Sequence, residues 1–368
     1  MTYFGPPPTI ASASSDIKNG DLSPVDLTNN ILERVATLDK RFNAYHKVFY
    51  NDARKAAIQA ENDIQNGNYL GPLHGIPIAI KDVFYMQGHP TTSNSRLMIN
   101  WHAGEDATVI KRLKRAGAII IGQLNTFEFT FGGRPTFDAA FPPALNPWNI
   151  ERVTGGSSSG SGAAIAAGMC LGALGSDAGG SIRTPAAFCG VAGLKPTMGR
   201  ISTYGDMPLT YSFDCVGPMA WNSEDCSIML QALAGYDEKD PTSSKAPVPN
   251  YHKNIKGGIK GLKVGLIEHF YKNDWQTPDD IICAMETISK TFETLGATVE
   301  QVSVSPLLDW HAVGRILLPA EAYAIHEDQL RENWEDYGSL ARGRMMLGAT
   351  IRAADYIQAQ RRRSELTE

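Results

Sequence analysis

Apolar residues recur along the chain in two rhythms, and each predicts a different element. Near the start, Leu27, Ile31 and Leu38 fall on one face of a helix that Ser23 would cap and Pro24 would open. A second helical run covers roughly Asp52 to Gln65 and stops at Gly67. The segment GPLHGIPIAIKD reads as a turn and a short apolar strand that ends on Lys81. Asp106–Ala116 returns to the helical rhythm, and AIIIGQ (118–123) is a second buried strand. From Phe131 to Thr154 neither rhythm survives, and Pro135, Pro142, Pro143 and Pro147 mark loop. Farther on, KVGLI (263–267), a helix capped by Thr277-Pro278 and stopped near Gly296, and TVEQVSV (298–304) make a β-α-β unit. From about Pro319 the pattern is mostly helical. Strands alternating with helices predict an α/β fold built on a mixed sheet. The last stretch, DYIQAQRRRSELTE, stops in mid-helix without a glycine cap, so residues 1–368 are expected to form a single domain lacking its C-terminal portion.

Composition narrows the function classes. The 368 residues are 43% hydrophobic and 20% charged, with a net charge of −5, which fits a globular protein and offers no basic stripe for nucleic acid. The one basic run, Arg361-Arg362-Arg363, reads as a solvated helix face. MTYFGPPPTI lacks the basic start and apolar run of a signal peptide, and no stretch of ~20 apolar residues occurs. Five cysteines without CxxC spacing fit reduced thiols in the cytoplasm, and eight scattered histidines form no paired metal-ligand set.

The chemistry concentrates in GGSSSGSGAAIAAGMCLGALGSDAGGS, residues 155–181. A flexible linker would lack its apolar middle. A phosphate cradle would need Lys-Ser/Thr after the last glycine, but Ser161-Gly162 follow Gly160, and Ile165 stands where GxGxxG requires its third glycine. Gly156-Ser157-Ser158-Ser159-Gly160 matches the GxSxG pattern of a Ser-His-Asp hydrolase, yet the polar, proline-broken NPWNIERVT before it is not the strand that motif requires. The remaining reading pairs a serine with a nest of amides and a base. Ala178, Gly179, Gly180 and Ser181 can turn consecutive N–H groups toward one point. Ser157 is a second hydroxyl, and Lys81 closes an apolar strand where burial would lower its pKa. Taken alone, Lys81 also fits a strand-end lysine snorkelling to water.

GPLHGIPIAIKD, NPWNIERVTGGSSSGSGAAIAAG, GSDAGGSIRTPAAFCGVAGLKPT and SFDCVGP, in this order, resemble the motifs of the amidase signature family. The resemblance runs from about Ser23 to Thr242 and more loosely beyond. It implies the amidase-signature fold, a large mixed, twisted β-sheet covered by helices on both faces. It also implies catalytic roles for Lys81 as base, Ser157 as bridging serine on a cis peptide bond, and Ser181 as nucleophile. Ala178, Gly179, Gly180 and Ser181 would form the oxyanion hole, and Thr130, Phe131, Gly132 and Ser158 would meet substrate, with Phe131 equally readable as core. Arg183 and Asp177 read as a pair locking the nucleophile turn rather than as a substrate grip.

The resulting expectation is a cytoplasmic hydrolase of amide C–N bonds, with carbamates or esters as further substrates. It would work without metal or organic cofactor, through a Ser181 acyl-enzyme. Its partners would be a small-molecule amide or carbamate and, for assembly, a homodimer mate; neither nucleic acid nor membrane is expected. Two alternatives stand beside it. NTFEFTFGG and GYDEKDPTSS resemble the glutaminase-type A subunit of a tRNA-dependent amidotransferase, and a non-catalytic binding module is the alternative of another class.

Overall fold

The computed structural model describes residues 6–133 and 139–368; the first residues of the MTYFGPPPTI stretch, and Pro135 of the expected loop, lie outside the described residues. The chain opens with α1 (Ile10–Asn19), which the apolar pattern does not announce. Its polar sequence IASASSDIKN buries only Ile10, Ala13, Ser14 and Ile17, and a reciprocal cap between Thr9 and Ser12 starts it. Next comes α2 (Pro24–Phe42), where the Ser23 hydroxyl accepts the N–H groups of Val25 and Asp26 as its position predicts. Leu27 and Ile31 enter the core, and Leu38 packs at its rim. After β1 (Tyr45–Val48), α3 (Tyr50–Gln65) matches the second expected helix.

The apolar strand is β2 (Pro77–Lys81), and the Asp106–Ala116 pattern becomes α4 (Thr108–Arg115) followed by β3 (Ile119–Leu124). The Gly/Ser stretch folds as α5 (Ser159–Ala166) and β4 (Gly172–Asp177), then α6 (Arg183–Cys189). Two strands, β5 (Ala192–Gly193) and β6 (Cys215–Ala220), and α7 (Ser223–Leu233) complete this half.

The six strands form one sheet in the order β1-β3-β2-β4-β6-β5. It is mixed: β2 runs parallel to β3 and β4, whereas β1, β5 and β6 pair antiparallel. Every residue of β2, β3, β4 and β6 is buried, so both faces of the sheet are covered. The main core lies around these strands and the inward faces of α1, α2 and α7.

Beyond α8 (Tyr251–Asn254), the expected β-α-β unit is present as β7 (Lys263–Leu266), α9 (Glu268–Lys272), α10 (Asp279–Thr294) and β8 (Thr298–Gln301). Its parallel strands make a separate two-stranded sheet instead of joining the large one. Three helices follow: α11 (Leu307–Glu332), α12 (Ser339–Met346) and α13 (Ala353–Thr367). The first continues through Pro319, so the helical region starts earlier than the pattern indicates.

Candidate active site

Two neighbouring parallel strands bring Lys81 and Ser176 together. Ile80 of β2 pairs with Leu174 of β4, so the register carries Lys81 to the level where β4 continues into Gly175, Ser176 and Asp177. Lys81 is fully buried, and its ammonium donates to the hydroxyls of Ser157 at 2.7 Å and Ser176 at 2.9 Å. The snorkelling alternative therefore fails, because Nζ points inward. Burial takes the Lys81 pKa from 10.5 down to about 8, against the pull of Asp206, Asp177 and Asp214. Burial in turn lifts Asp214 to about 6 and Asp206 well above the carboxylate range, the charge of Asp214 adding to the rise at Asp206 and Lys81 opposing it.

Three of the six hydroxyls of the Gly/Ser stretch, those of Ser158, Ser159 and Ser161, serve the backbone. The Gly156–Ser157 peptide is cis. Ser161 donates to the Leu174 carbonyl at 3.0 Å. Gly160 has no room for a side chain: a Cβ there would run into the Ala44 carbonyl oxygen and the Asn125 backbone. Ser158 is fully buried, donating its hydroxyl to the Ser176 carbonyl and its N–H to the Ser181 carbonyl. Its hydroxyl, expected to meet substrate, is occupied by that backbone carbonyl. This also removes the GxSxG reading, because no strand precedes Ser158 and its buried hydroxyl is bonded to the Ser176 carbonyl.

The loop from β4 to α6 is held by Asp177. Its carboxylate accepts from the N–H groups of Gly180 at 2.7 Å and Ile182 at 3.0 Å, and from Arg183 Nε at 3.0 Å and Nη2 at 2.9 Å. Burial pushes its pKa up, but these donors outweigh burial and hold it below the ordinary value. The expected Asp177–Arg183 lock is thus present as a bidentate pair. The expected four-amide oxyanion hole needs a correction, because the Gly180 N–H is already committed to Asp177. The N–H groups of Ala178, Gly179 and Ser181 make no hydrogen bond among the described residues. Ser181 is half-buried, and its hydroxyl likewise has no partner among them.

Beside this loop lies a cavity of about 790 Å³. Ala178, Gly179 and Arg183 form one wall, Phe131 and Phe213 contribute from loops, and most of the rest comes from α11, α12 and α13. Phe131 packs against a small cluster around Phe129 while facing the cavity. Thr130 and Gly132 act behind it rather than on the cavity wall. Thr130 is buried in a left-handed conformation (φ 60°), and Gly132 donates its N–H to the Glu128 carbonyl. The Arg361–Arg363 run is solvated only in part, since Arg363 turns inward to the Ser212 carbonyl and lines the cavity. The sequence pattern also leaves out Ser176 and the Asp206–Asp214 pair. A serine inside the buried strand GALGSD is the one available signal for Ser176. Among the described residues, no group of three His, Cys, Asp or Glu could hold a metal, and no helix is long and apolar enough to cross a membrane.

The family model for Amidase matches residues 26–367. The chain belongs to the amidase family. It is 37% identical to the A subunit of Glutamyl-tRNA(Gln) amidotransferase from Synechococcus sp. (strain CC9311), over 97% of this chain and 77% of that protein. It is 42% identical to the protein of the same name from Desulfatibacillum aliphaticivorans, over 85% of this chain and 64% of that protein. Among solved structures, native peptide amidase from Stenotrophomonas maltophilia aligns with a TM-score of 0.85 at 28% identity, covering 96% of this chain and 78% of that one. This amidase-family chain is therefore an enzyme of amide C–N chemistry, which sets aside the binding-module reading.

Proposed function

We propose that the protein hydrolyses amides through a covalent Ser181 intermediate. Neutral Lys81 takes a proton from Ser157 while Ser157 takes the proton of Ser181, whose Oγ attacks the carbonyl carbon. The oxyanion faces the uncommitted N–H groups of Ala178, Gly179 and Ser181. As the tetrahedral intermediate collapses, the C–N bond breaks, Ser157 returns the proton to the departing amine, and Lys81 resupplies Ser157. Water then attacks the acyl-enzyme by the same relay, releasing the acid and restoring Ser181. The observation that carries this reading is the 2.7 Å contact between buried Lys81 and Ser157, with the lysine pKa lowered to about 8. Incubation with a fluorophosphonate probe tests it. Labelling should map to Ser181 and abolish release of amine from a neutral anilide; labelling elsewhere with turnover intact would refute it.

A second reading takes the chain as the glutaminase-type A subunit of a tRNA-dependent amidotransferase. The names of the relatives support it better than they support a stand-alone hydrolase. On this reading L-glutamine is the amide, ammonia the leaving group, and partner subunits receive it. Glutaminase activity, and partner subunits co-purifying with the chain, separate it from the first reading. We place either enzyme in the cytoplasm, where its five unpaired cysteines would stay reduced, with a second copy of the chain as its partner on the stand-alone reading.

A further inference from the structure

A second, smaller cavity of about 180 Å³ shares no residue with the one beside the nucleophile loop. Two carboxylates that the reaction above leaves idle, Asp206 and Asp214, both line it. Each arrives through a segment that borders Lys81. Asp206 pairs with Phe84, and on either side Met207 donates its N–H to the Val83 carbonyl at 2.9 Å and Tyr85 donates to the Gly205 carbonyl at 2.8 Å. Its segment therefore runs along the chain that leaves Lys81. Asp214 immediately precedes Cys215, which pairs with Asp177, the residue after the Lys81 partner Ser176.

The two carboxylates are held unequally. Asp214 accepts from the N–H groups of Leu209 at 2.8 Å and Thr210 at 2.9 Å, and from the Thr210 hydroxyl at 3.1 Å. Oδ1 of Asp206 is buried and accepts nothing. The surrounding charges are committed elsewhere: Lys239 to Glu105 at 2.7 Å, Asp240 to Thr203 and Thr242, Asp177 to Arg183, and Lys195 to the Pro196 carbonyl and the Cys215 sulfur. Tyr85, Tyr204 and Tyr211, the phenols around Asp206, bring no positive charge. Lys81 is the cation that pulls on both carboxylates. Two like charges in one small cavity oppose each other, so the better-bonded group keeps its charge and the other keeps a proton.

Resting on Lys81 as the base in the reading above, we propose that Asp206 and Asp214 are positioning residues that work as one unit, keeping a single negative charge against the proton that Lys81 carries while Ser181 attacks. In the resting enzyme Asp214 bears the charge and Asp206 the proton. The charge steadies the ammonium that forms when Lys81 takes the proton of Ser157. A second charge would fix the lysine as ammonium and leave no base. No bond is made or broken at either carboxylate.

The test is the pH dependence of kcat/KM on a neutral anilide for Asp206→Asn, Asp214→Asn and the double variant. Each single variant retains one carboxylate, which then ionises alone, so the limb should move by less than about 0.5 pH unit. The double variant strips the charge altogether, and its limb should fall by about 1 to 2 pH units. Its plateau should fall as well, because a less basic lysine takes the proton less readily. Asp240→Asn, which removes a charge from the same cavity wall, should leave the limb in place. At about pH 7, an infrared difference spectrum between wild type and Asp206→Asn should show the band of a protonated carboxyl lost in the variant. That spectrum decides if the double variant does not fold. Limb shifts that simply add, a double variant with an unmoved limb, or a missing carboxyl band would overturn the pair while leaving Lys81 as the base. A wild type without the limb, with no labelling of Ser181, would overturn both readings.

Discussion

Replacing Lys81 by methionine keeps the length of the side chain and removes its charge, so it should trade activity for stability. Burial lowers the lysine pKa from 10.5 to about 8, which corresponds to about 3 kcal/mol held against the folded state at neutral pH. Methionine escapes that cost but loses the bonds to Ser157 and Ser176, at about 1 kcal/mol each. The variant should therefore be about 1 kcal/mol more stable at pH 7, read from the urea midpoint. Because the folded pKa lies below the unfolded one, the wild type carries the full penalty below pH 8 and regains stability as pH rises toward 10.5. The advantage of the variant should shrink and reverse across that window. Activity moves the other way. With a pKa of about 8, roughly a tenth of the enzyme holds neutral Lys81 at pH 7, against about one molecule in three thousand for an unshifted lysine. The kcat/KM of the wild type on a neutral anilide should rise with pH through a single ionisation near 8. Lys81→Met should lose that limb and about 10²- to 10⁴-fold in rate. Lys195→Ala is the control: that lysine, half-buried and bonded to the Pro196 carbonyl, should leave the limb in place. A Lys81→Met enzyme that kept both limb and rate, or that was less stable at pH 7, would refute the reasoning.

Ser181→Ala should abolish turnover and fluorophosphonate labelling while preserving the circular-dichroism spectrum, whereas Ser158→Ala should keep labelling and cost about 1 kcal/mol in a denaturant titration through its lost bond to Ser176. Arg183→Ala removes the bidentate partner of a carboxylate that is itself fully buried, and should lower kcat by disordering the Gly180–Ser181 turn. Asp177 has its pKa depressed in the fold, so its contribution is present above 3.8 and lost as pH falls further. The acid-unfolding midpoint of Arg183→Ala should accordingly move to higher pH, and an unmoved midpoint would remove Asp177 from that role.

The parts of the site legible in the sequence are those announced by local pattern. An all-apolar strand ending in lysine marks Lys81, and repeated glycines with serines mark the loop. The helix cap at Ser23 follows from chemistry within one turn, whereas the expected cap at Thr277 does not form, its hydroxyl donating to the Trp275 carbonyl and α10 starting without a side-chain cap. What stays hidden depends on strand register and on competition between donors. Ser176 becomes a partner of Lys81 only because β4 runs parallel to β2 in that register. The Gly180 N–H counts toward the oxyanion on sequence alone because its alternative acceptor, Asp177, reveals itself only when the turn closes. Ser158 resembles a site residue by adjacency to Ser157, but successive residues there point to opposite surroundings. The same holds for Arg363, whose neighbours Arg361 and Arg362 do face outward.

Lys81 and Ser176 stand on the buried strands β2 and β4, whereas most of the cavity wall stands on the outer helices α11 and α13. This separation gives the lineage an unequal freedom to change. Substitutions in the central strands meet a packed interior, whereas those in the outer helices change the cavity wall, which on the proposed hydrolase reading is where the acyl group enters. On that reading a change of substrate starts in the helices and leaves the strands beneath them as they are.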